Sequence, residues 1–366
     1  MIRLITLRKF YFVLMISTVI IFIFIMNDQN IPKSYLQAIV SDASSFIKNS
    51  KLKHLKQLNL FRLLNINQSI INSIHETTKI SSVHYKRYQT GYYSSCLEYK
   101  INQPNKCKQA NYSIAFMIPS TTGRISARNA IRETWGGYAK EAGIPVLFLL
   151  GTPFLQHQQK YIEMENTLYQ DIVQVKCMDR YRNLSLKSVA MMKWVSEYCF
   201  NTAYILKADD DMLINVNRLL QTFYNKNYKR TIFGRIMSGL SPHRLKKSKW
   251  YVSEKEYKNN FYPNFTSGPS YLFTTDSAKI LFETSLELPY LHLEDVFMTG
   301  VVADKADIKR VANNEFKNDH RSLTFQSFNT LISAHEYSPR TLHRIWKNVI
   351  RFPHLLSFFS DHRKNQ

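Results

Sequence analysis

The chain has 366 residues, 45% of them hydrophobic, which is enough to bury one large or two modest cores. This composition excludes a disordered or fibrous protein. The formal net charge of +22 would suit an anionic partner, but lysine and arginine are spread along the whole length and no nucleic-acid-binding motif accompanies them. We therefore expect no nucleic-acid partner. The one dense basic cluster, residues 244–249, is interpreted as a solvated loop rather than an anion site.

The N-terminus has the pattern of a membrane anchor. Residues 10–26 contain no charged side chain; three basic residues precede them and a polar run follows. As a helix this stretch would span about 25 Å, near the short end for a membrane crossing, and its basic flank favours a cytosolic N-terminus. The competing interpretation is a cleaved signal peptide, but no small-residue cleavage site follows residue 26. The sequence thus predicts a cytosolic tail over 1–9, a signal anchor over 10–26 and a lumenal remainder.

The composition of the lumenal part changes near residue 112. Residues 27–111 are rich in Asn, Ser, Lys and Ile and show no alternation of strand and helix, which predicts a stem. Over 112–366, β-prone runs alternate with helical stretches, as is typical of an α/β domain. Residues 184–198 are predicted to form an amphipathic helix that begins after Asn183. The predicted strands include residues 114–118, 146–150, 171–175, 204–206, 231–233 and 271–274.

Four cysteines allow disulfides without forming a disulfide scaffold. The first hypothesis pairs nearest neighbours in sequence, Cys96 with Cys107 and Cys177 with Cys199. The alternative is that Cys177 and Cys199 are buried thiols, because both lie in apolar segments. Sequons compatible with a lumenal chain begin at Asn67, Asn111, Asn183 and Asn264.

A hydrophobic strand, residues 204–208, runs directly into Asp209, Asp210 and Asp211. Carboxylates at the end of a strand face the ligand side of an open α/β sheet, where they can hold Mn²⁺ or Mg²⁺ against a diphosphate. Since alternate residues of an extended segment point the same way, Asp209 and Asp211 are predicted to share a ligand while Asp210 points elsewhere. A solvated turn is the competing interpretation, against which stand the apolar residues on both sides.

A second acidic pair, Glu294 and Asp295, lies between the largely apolar runs 291–293 and 296–298. A carboxylate in such surroundings is a candidate general base, because partial desolvation raises its pKa toward the working range. Acidic residues also suit a helix N-terminus, and the two interpretations are compatible.

Two further segments have ligand-binding character. Residues 262–271 combine Pro, Gly and aromatic residues, which predicts a loop whose backbone approaches a ligand before the next strand. Upstream, the end of the first strand leads into Arg124, Arg128 and Arg132, four residues apart and hence on one helix face. These arginines could meet a pyrophosphate, or they could lie on an exposed helix face.

Seven motifs follow one another along the chain and together resemble one known family. They are A-R-N-A-I-R-E-T-W-G at 127–136, F-L-L-G at 148–151, D-R-Y-R-N-L-S-L-K at 179–187, K-A-D-D-D at 207–211, Y-P at 262–263, S-G at 267–268 and E-D-V at 294–296. Over residues 112–346 the chain resembles the β1,3-galactosyltransferases and their β1,3-N-acetylglucosaminyltransferase relatives. The resemblance implies a GT-A fold, in which helices flank a Rossmann-like mixed sheet. It also implies a UDP-sugar donor, Mn²⁺ or Mg²⁺ as cofactor, inversion at the anomeric carbon, and residence in the Golgi membrane as a single-pass type II protein.

The resemblance further implies roles for individual residues. The implied metal ligands are Asp211, with Asp209 nearby, and His335. The implied catalytic base is Asp295, with Glu294 beside it. Donor-side positions are implied for Arg128, Arg132, Asp179, Asp209 and Gly268, and sugar-contacting loops for Trp250 and Tyr262.

Two departures from the family pattern concern the acceptor side. Thr266 stands where the relatives carry Cys, and Val301 and Val302 stand where another Cys often follows the E-D-V motif. Thr266 also completes the sequon at Asn264. We expect this sequon to be unused, because a glycan beside the pocket would hinder an acceptor.

The implied reaction is transfer of a hexose to the 3-hydroxyl of an acceptor glycan on protein or lipid. Galactose from UDP-galactose is the first choice of donor sugar, and N-acetylglucosamine from UDP-N-acetylglucosamine is the alternative. The alternative of another class is a catalytically silent, sugar-binding Golgi membrane protein. The intact carboxylates at Asp209, Asp211, Glu294 and Asp295 argue against a silent protein.

Overall fold

Hydrophobic runs rich in β-branched and aromatic residues form the strands that the sequence predicts. The computed structural model describes residues 96–109, 114–320 and 325–349. Each of the six predicted runs lies in a strand, except for residue 171, which directly precedes one. The strands are β1 (Tyr99–Ile101), β2 (Ile114–Pro119), β3 (Val146–Thr152), β4 (Ile172–Met178), β5 (Tyr204–Ala208), β6 (Leu213–Ile214), β7 (Thr231–Met237), β8 (Phe265–Thr274), β9 (Lys309–Ala312) and β10 (Ser333–Ala334).

Eight of these strands form one mixed sheet in the order β1-β4-β3-β2-β5-β8-β7-β9. Strands β4, β3, β2 and β5 are parallel, whereas β8 is antiparallel to both β5 and β7. Strands β6 and β10 form a separate antiparallel pair. The predicted α/β class with a mixed sheet is therefore confirmed.

Helices lie between the strands along the chain. They are α1 (Ile125–Arg132), α2 (Trp135–Glu141), α3 (Gln158–Tyr169), α4 (Leu184–Tyr198), α5 (Val216–Phe223), α6 (Thr275–Leu286), α7 (Val296–Val302), α8 (Ala303–Lys305), α9 (Phe325–Asn329) and α10 (Pro339–Val349). Helix α7 has π-helical turns.

Alternation along the strands divides the core into two layers, one on each face of the sheet. In β2, Ala115 and Met117 belong to the layer that contains residues of α4, α6 and α7. Phe116 and Ile118 belong to the other layer, with residues of α1, α2 and α5. Because both faces are buried, the strands read as continuous hydrophobic runs instead of alternating with polar residues.

Helix α4 begins and ends where the sequence predicts but is not amphipathic. Residues 185–192 are all buried, because α4 packs on α6 as well as on the sheet. Asn183 precedes the helix without capping it through its side chain. Its side-chain amide donates instead to the carbonyl oxygen of Met178, at 2.9 Å.

The segment before β2 belongs to the sheet, although the sequence predicts that it is part of the stem. Strand β1 pairs antiparallel with β4, so the folded domain begins before the predicted boundary at residue 112. The predicted disulfide pairings are wrong, because Cys107 forms its disulfide with Cys199, which directly follows α4 and is 92 residues away in sequence. Cys96 and Cys177 are buried, and a hydrogen bond with Cys96 raises the pKa of the Cys177 thiol.

The predicted tail, the anchor over residues 10–26 and the stem up to residue 95 lie outside the described residues. In the described part of the chain, no helix is both long and apolar enough to cross a membrane.

Candidate active site

The candidate site lies where the chain leaves two neighbouring strands. Because β2 and β5 are parallel neighbours, their C-terminal ends meet at one edge of the sheet. Arg124, in the loop after β2, is paired there with Asp210, with 2.8 Å between Nε and Oδ1. Ser120 Oγ donates to the same carboxylate at 2.6 Å. Asp210 is thus buried and turned toward the loop, away from its two acidic neighbours.

Asp209, Asp211 and His335 converge at this edge, where one ligand atom from each lies within 4.8 Å of the others. His335 reaches the cluster because β10, just before it, pairs with β6, just after the carboxylates. The amide of Tyr337 also donates to the carbonyl of Asp211 at 3.0 Å. His335 Nε2 lies 3.1 Å from Asp211 Oδ1. Burial alone would lower the pKa of His335, but its hydrogen bond to Asp211 and the charge of that carboxylate raise it.

This donor set fits a divalent metal. Two carboxylates suit a hard ion such as Mn²⁺ or Mg²⁺, and an imidazole nitrogen favours the transition metal of the two. The predicted ligand His335 lies more than 120 residues from Asp209 and Asp211 in sequence, and the fold brings all three residues together.

Glu294 and Asp295 are adjacent but differ in accessibility. Glu294 is only 4% exposed, and its Oε1 accepts a hydrogen bond from the hydroxyl of Tyr271 at 2.8 Å. Asp295 is partly exposed; its Oδ2 accepts from the amide of Gly268 at 3.2 Å, and its Oδ1 from the amide of Val296 at 2.9 Å. Burial raises the pKa of Asp295 and outweighs these backbone hydrogen bonds, which favour the charged form. Asp295 therefore caps α7 and is the more exposed residue of the pair.

A buried lysine lies between the two acidic groups. Lys207 Nζ is 2.5 Å from Asp209 Oδ1, 2.6 Å from the carbonyl oxygen of Gly268 and 3.8 Å from Glu294 Oε2. The lysine side chain is only 1% exposed. Its position in β5 follows from strand alternation, because its neighbours Leu206 and Ala208 belong to the opposite core layer.

The arginines predicted on one helix face differ in exposure. Arg124 has 46% of its side chain exposed, but that of Arg128 is only 1% exposed and that of Arg132 11%. Arg128 pairs with Glu165 at 2.7 Å and donates to the carbonyl of Thr121 at 2.6 Å. The interpretation of an exposed helix face is therefore wrong for Arg128 and Arg132. Arg128 links α1 to α3 and to the loop after β2.

Asp179 supports the same loop from the other side. Its Oδ1 is 3.0 Å from Lys187 Nζ, and its Oδ2 accepts from the amides of Thr122 and Gly151 at 3.0 and 3.2 Å. With only 4% of its side chain exposed, Asp179 contacts protein backbone rather than an open surface.

The predicted loop over residues 262–271 is a loop only in its first part. Strand β8 begins at Phe265, and residues 267–270 form a bulge where the register of β7 and β8 shifts. A Cβ on Gly268 would lie 3.2 Å from Asp295 Oδ2. The backbone at Gly268 thus lies close to the Asp295 carboxylate, and its predicted approach to a ligand stays a prediction.

The charge of Asp295 acts on two tyrosines, Tyr181 and Tyr262, and Tyr181 forms a hydrogen bond with Trp250. Trp250 is 46% exposed and Tyr181 is 53% exposed; burial of the Tyr181 hydroxyl and the charge of Asp295 raise the pKa of Tyr181, against a hydrogen bond with Trp250. Tyr262 is buried, and among the described residues its hydroxyl has no hydrogen-bond partner. Burial raises the pKa of Tyr262 to about 12.

The sequence places this chain among known enzymes. Residues 126–314 match the family described as Galactosyltransferase. β-1,3-Galactosyltransferase 2 of Mus musculus is 34% identical over 298 residues, which cover 78% of this chain and 70% of that protein. β-1,3-Galactosyltransferase 1 of Homo sapiens is 34% identical over 263 residues, which cover 70% of this chain and 80% of that protein. The chain belongs to the galactosyltransferase family. The predicted glycosyltransferase class is thereby confirmed.

Solved structures similar to this galactosyltransferase-family chain are distant. Galactosyltransferase LgtC in complex with donor and acceptor sugar analogs is 10% identical and covers 66% of this chain and 94% of that chain, with a TM-score of 0.35. Similarity at this level supports no conclusion about the site.

Two residues of this candidate site, Tyr181 and Lys207, have no role assigned from the sequence. Tyr181 lies inside the D-R-Y motif, and Lys207 opens the K-A-D-D-D motif. A lysine within a hydrophobic strand is the signal that could have identified Lys207, because an unpaired buried charge is costly. Tyr181 offers no comparable signal, because it stands on an exposed turn.

Thr266, which stands at one of the two positions where the family pattern has Cys, makes a hydrogen bond through its backbone. The amide of Thr266 donates to Thr299 Oγ1 at 2.9 Å, which joins β8 to α7. This hydrogen bond joins the strand that contains Thr266 to the helix that contains Val301 and Val302.

Proposed function

We propose that the chain transfers galactose from UDP-galactose to the 3-hydroxyl of an acceptor sugar, with inversion, using Asp295 as the general base. The exposure of Asp295 carries this proposal: it is the partly exposed residue of the pair, whereas Glu294 is only 4% exposed. The names of the relatives, β-1,3-galactosyltransferases 1 and 2, support the choice of donor and linkage. They favour neither N-acetylglucosamine transfer nor a silent protein.

The transfer is a single displacement at the anomeric carbon. As the acceptor oxygen forms its bond to that carbon, Asp295 takes the hydroxyl proton and the bond from carbon to the UDP oxygen breaks. The backbone amides of Gly268 and Val296 orient the carboxylate for this step. Burial raises the pKa of Asp295, which makes it a better proton acceptor than an ordinary aspartate.

The donor diphosphate would lie beside Asp209, Asp211 and His335. These residues would hold Mn²⁺ or Mg²⁺, which when bound supplies positive charge that offsets the charge of the leaving diphosphate. The loop after β2 forms the adjacent wall. We assign Arg128 and Asp179 to the support of this loop, through the carbonyl of Thr121 and the amide of Thr122, and Arg132 to the same network. Trp250, Tyr262 and the bulge at Gly268 lie on the sugar side.

One experiment tests donor, acceptor and metal together. The full chain in detergent micelles is incubated with UDP-galactose, UDP-N-acetylglucosamine and UDP-N-acetylgalactosamine, with simple glycoside acceptors, and with Mn²⁺, Mg²⁺ or EDTA. We expect galactose transfer that EDTA abolishes and a β1,3 linkage in the product by NMR. Transfer from another donor, a different linkage, or no transfer with any pair would contradict the proposal.

We also place the chain in the Golgi membrane as a type II protein, anchored through residues 10–26. The support is the uncharged stretch with its basic flank, together with the sequons. In sealed microsomes, a C-terminal epitope should survive added protease until detergent is present. Digestion without detergent would refute a lumenal C-terminus.

A further inference from the structure

Lys207 makes contacts with both halves of the site. Its ammonium touches Asp209 in the candidate metal cluster and the carbonyl of Gly268 in the β8 bulge, at 2.5 and 2.6 Å. Its third neighbour is Glu294, which directly precedes the candidate base, at 3.8 Å. Three segments that are distant in sequence therefore meet at one cation.

The burial of this lysine requires an explanation. A lysine is rarely buried unless it is paired, because removal of its charge from water is costly. Here the ammonium has three protons and three oxygen neighbours, and the ring of Tyr271 lies 5.7 Å from it. With 1% of the side chain exposed, it is too enclosed to bind a large ligand directly. Its role must be exerted on neighbouring protein groups.

The backbone of Gly268 links Lys207 to Asp295 through the two peptide groups that flank its Cα. Its carbonyl accepts from Lys207, and its amide donates to Asp295 Oδ2 at 3.2 Å. The space beside Gly268 is closed, because a Cβ there would lie 3.3 Å from Asp295 Cβ. A movement of the Gly268 backbone would therefore move the Asp295 carboxylate.

We infer that Lys207 is a positioning residue, which fixes the backbone of Gly268 and thereby the Asp295 carboxylate relative to the metal cluster. This inference rests on the proposed function, in which Asp295 is the base. Lys207 also offsets the negative charges of Asp209 and Glu294, which lets the carboxylates lie close together without a bound substrate.

The test uses Lys207→Met in the full chain in detergent micelles, because methionine keeps most of the side-chain volume and removes the ammonium. The kcat for galactose transfer is expected to fall about 100-fold, the cost of a misplacement of about 1 Å. KM for UDP-galactose should change by less than about threefold, because the lost interaction acts in the transition state. Lys207→Arg, which keeps the charge, should retain more activity than Lys207→Met.

Lys193→Met is the matched control. Lys193 is also largely buried, with 14% of its side chain exposed, but it pairs with Glu197 on α4. The Lys193→Met variant should leave kcat unchanged. If Lys207→Met does not fold, Gly268→Ala tests the same path, because its added methyl group presses on Asp295 while Lys207 is intact.

The double variant Lys207→Met/Gly268→Ala distinguishes a shared positioning effect from two independent defects. If Lys207 and Gly268 both act through the backbone of Gly268, the fold loss of kcat in the double variant should be much smaller than the product of the losses in Lys207→Met and Gly268→Ala. A kcat for Lys207→Met within threefold of wild type, or fully multiplicative losses, would overturn the inference. An inactive wild-type chain would instead refute the proposed function.

Discussion

Asp295 and Glu294 have the same chemistry but different surroundings, which leads to different predictions. Asp295→Asn keeps the size of the side chain but removes the proton acceptor, so kcat for transfer should fall about 10²- to 10⁴-fold. Binding of UDP with Mn²⁺, measured by calorimetry, should stay close to normal.

Glu294→Gln is the internal control for Asp295→Asn, because Glu294 is buried against Tyr271 and Lys207. It should show the smaller kinetic defect. A folded Asp295→Asn protein, checked by circular dichroism, that transfers sugar at near wild-type turnover would refute the assignment of the base.

Asp211 should affect the binding of UDP, in contrast to Asp295, which should affect kcat. Asp211→Ala removes one of the three candidate ligands, so UDP binding that depends on Mn²⁺ should be lost in calorimetry. Asp307→Ala is the control, because the side chain of Asp307 is fully exposed and lies outside the cluster. Equal UDP affinity in Asp211→Ala and wild type would exclude Asp211 as a ligand.

The pH dependence of turnover should reflect the environment of Asp295. Its pKa is raised by burial, and the base is active only when deprotonated. At saturating donor and Mn²⁺, kcat should therefore fall as the pH is lowered, starting above the pH at which an ordinary aspartate titrates, about 3.9. A kcat that stays flat down to that pH would contradict a desolvated base.

At the scale of elements, the ion pair between α1 and α3 should contribute to stability. Glu165 is buried against Arg128 and Arg132. Glu165→Gln leaves the buried Arg128 with a neutral partner, whereas Arg132 keeps its ion pair with Asp171. We expect the free energy of unfolding in urea to fall by about 3 kcal/mol. Glu283→Gln, which removes an exposed partner of Lys279, should have little effect.

The stability effect of Glu165 should depend on pH. Burial alone would raise its pKa, but hydrogen bonds and charges from Arg128 and Arg132 lower it. A lowered folded pKa stabilises the protein above the pKa of unfolded glutamate, and this contribution is lost as the pH falls through the folded pKa. The difference between wild type and Glu165→Gln should therefore narrow at acid pH. If the difference in the free energy of unfolding does not change with pH, the charge of the Glu165 carboxylate is not the source of the stability effect.

At the scale of the whole molecule, the disulfide joins the start of the described domain to the end of α4. Peptide mapping should recover Cys107 linked to Cys199. Thiol titration in denaturant should find two thiols before reduction and four after it. Recovery of a Cys96–Cys107 peptide would support the sequence-local pairing and contradict the structure.

Sequence patterns predicted local features and failed where distant segments meet. The strands and the bounds of α4 were predictable because hydrophobic runs and their lengths are local properties. The burial of α4 on a second side was not predictable, because it depends on packing against α6, which is distant in sequence. Strand β1 was missed because three residues at a sheet edge leave almost no hydrophobic period to detect.

The sequence by itself determined the α/β class, the acidic residues and membership of the galactosyltransferase family, since each depends on residue type and order along the chain. Only the tertiary structure decided that Arg128 is buried, that Cys107 pairs with Cys199, and that Asp295 is more accessible than Glu294. These properties depend on which elements pack together. Contacts such as that of Lys207 with Gly268, 61 residues away, arise from strand pairing and bulges, which no local pattern encodes.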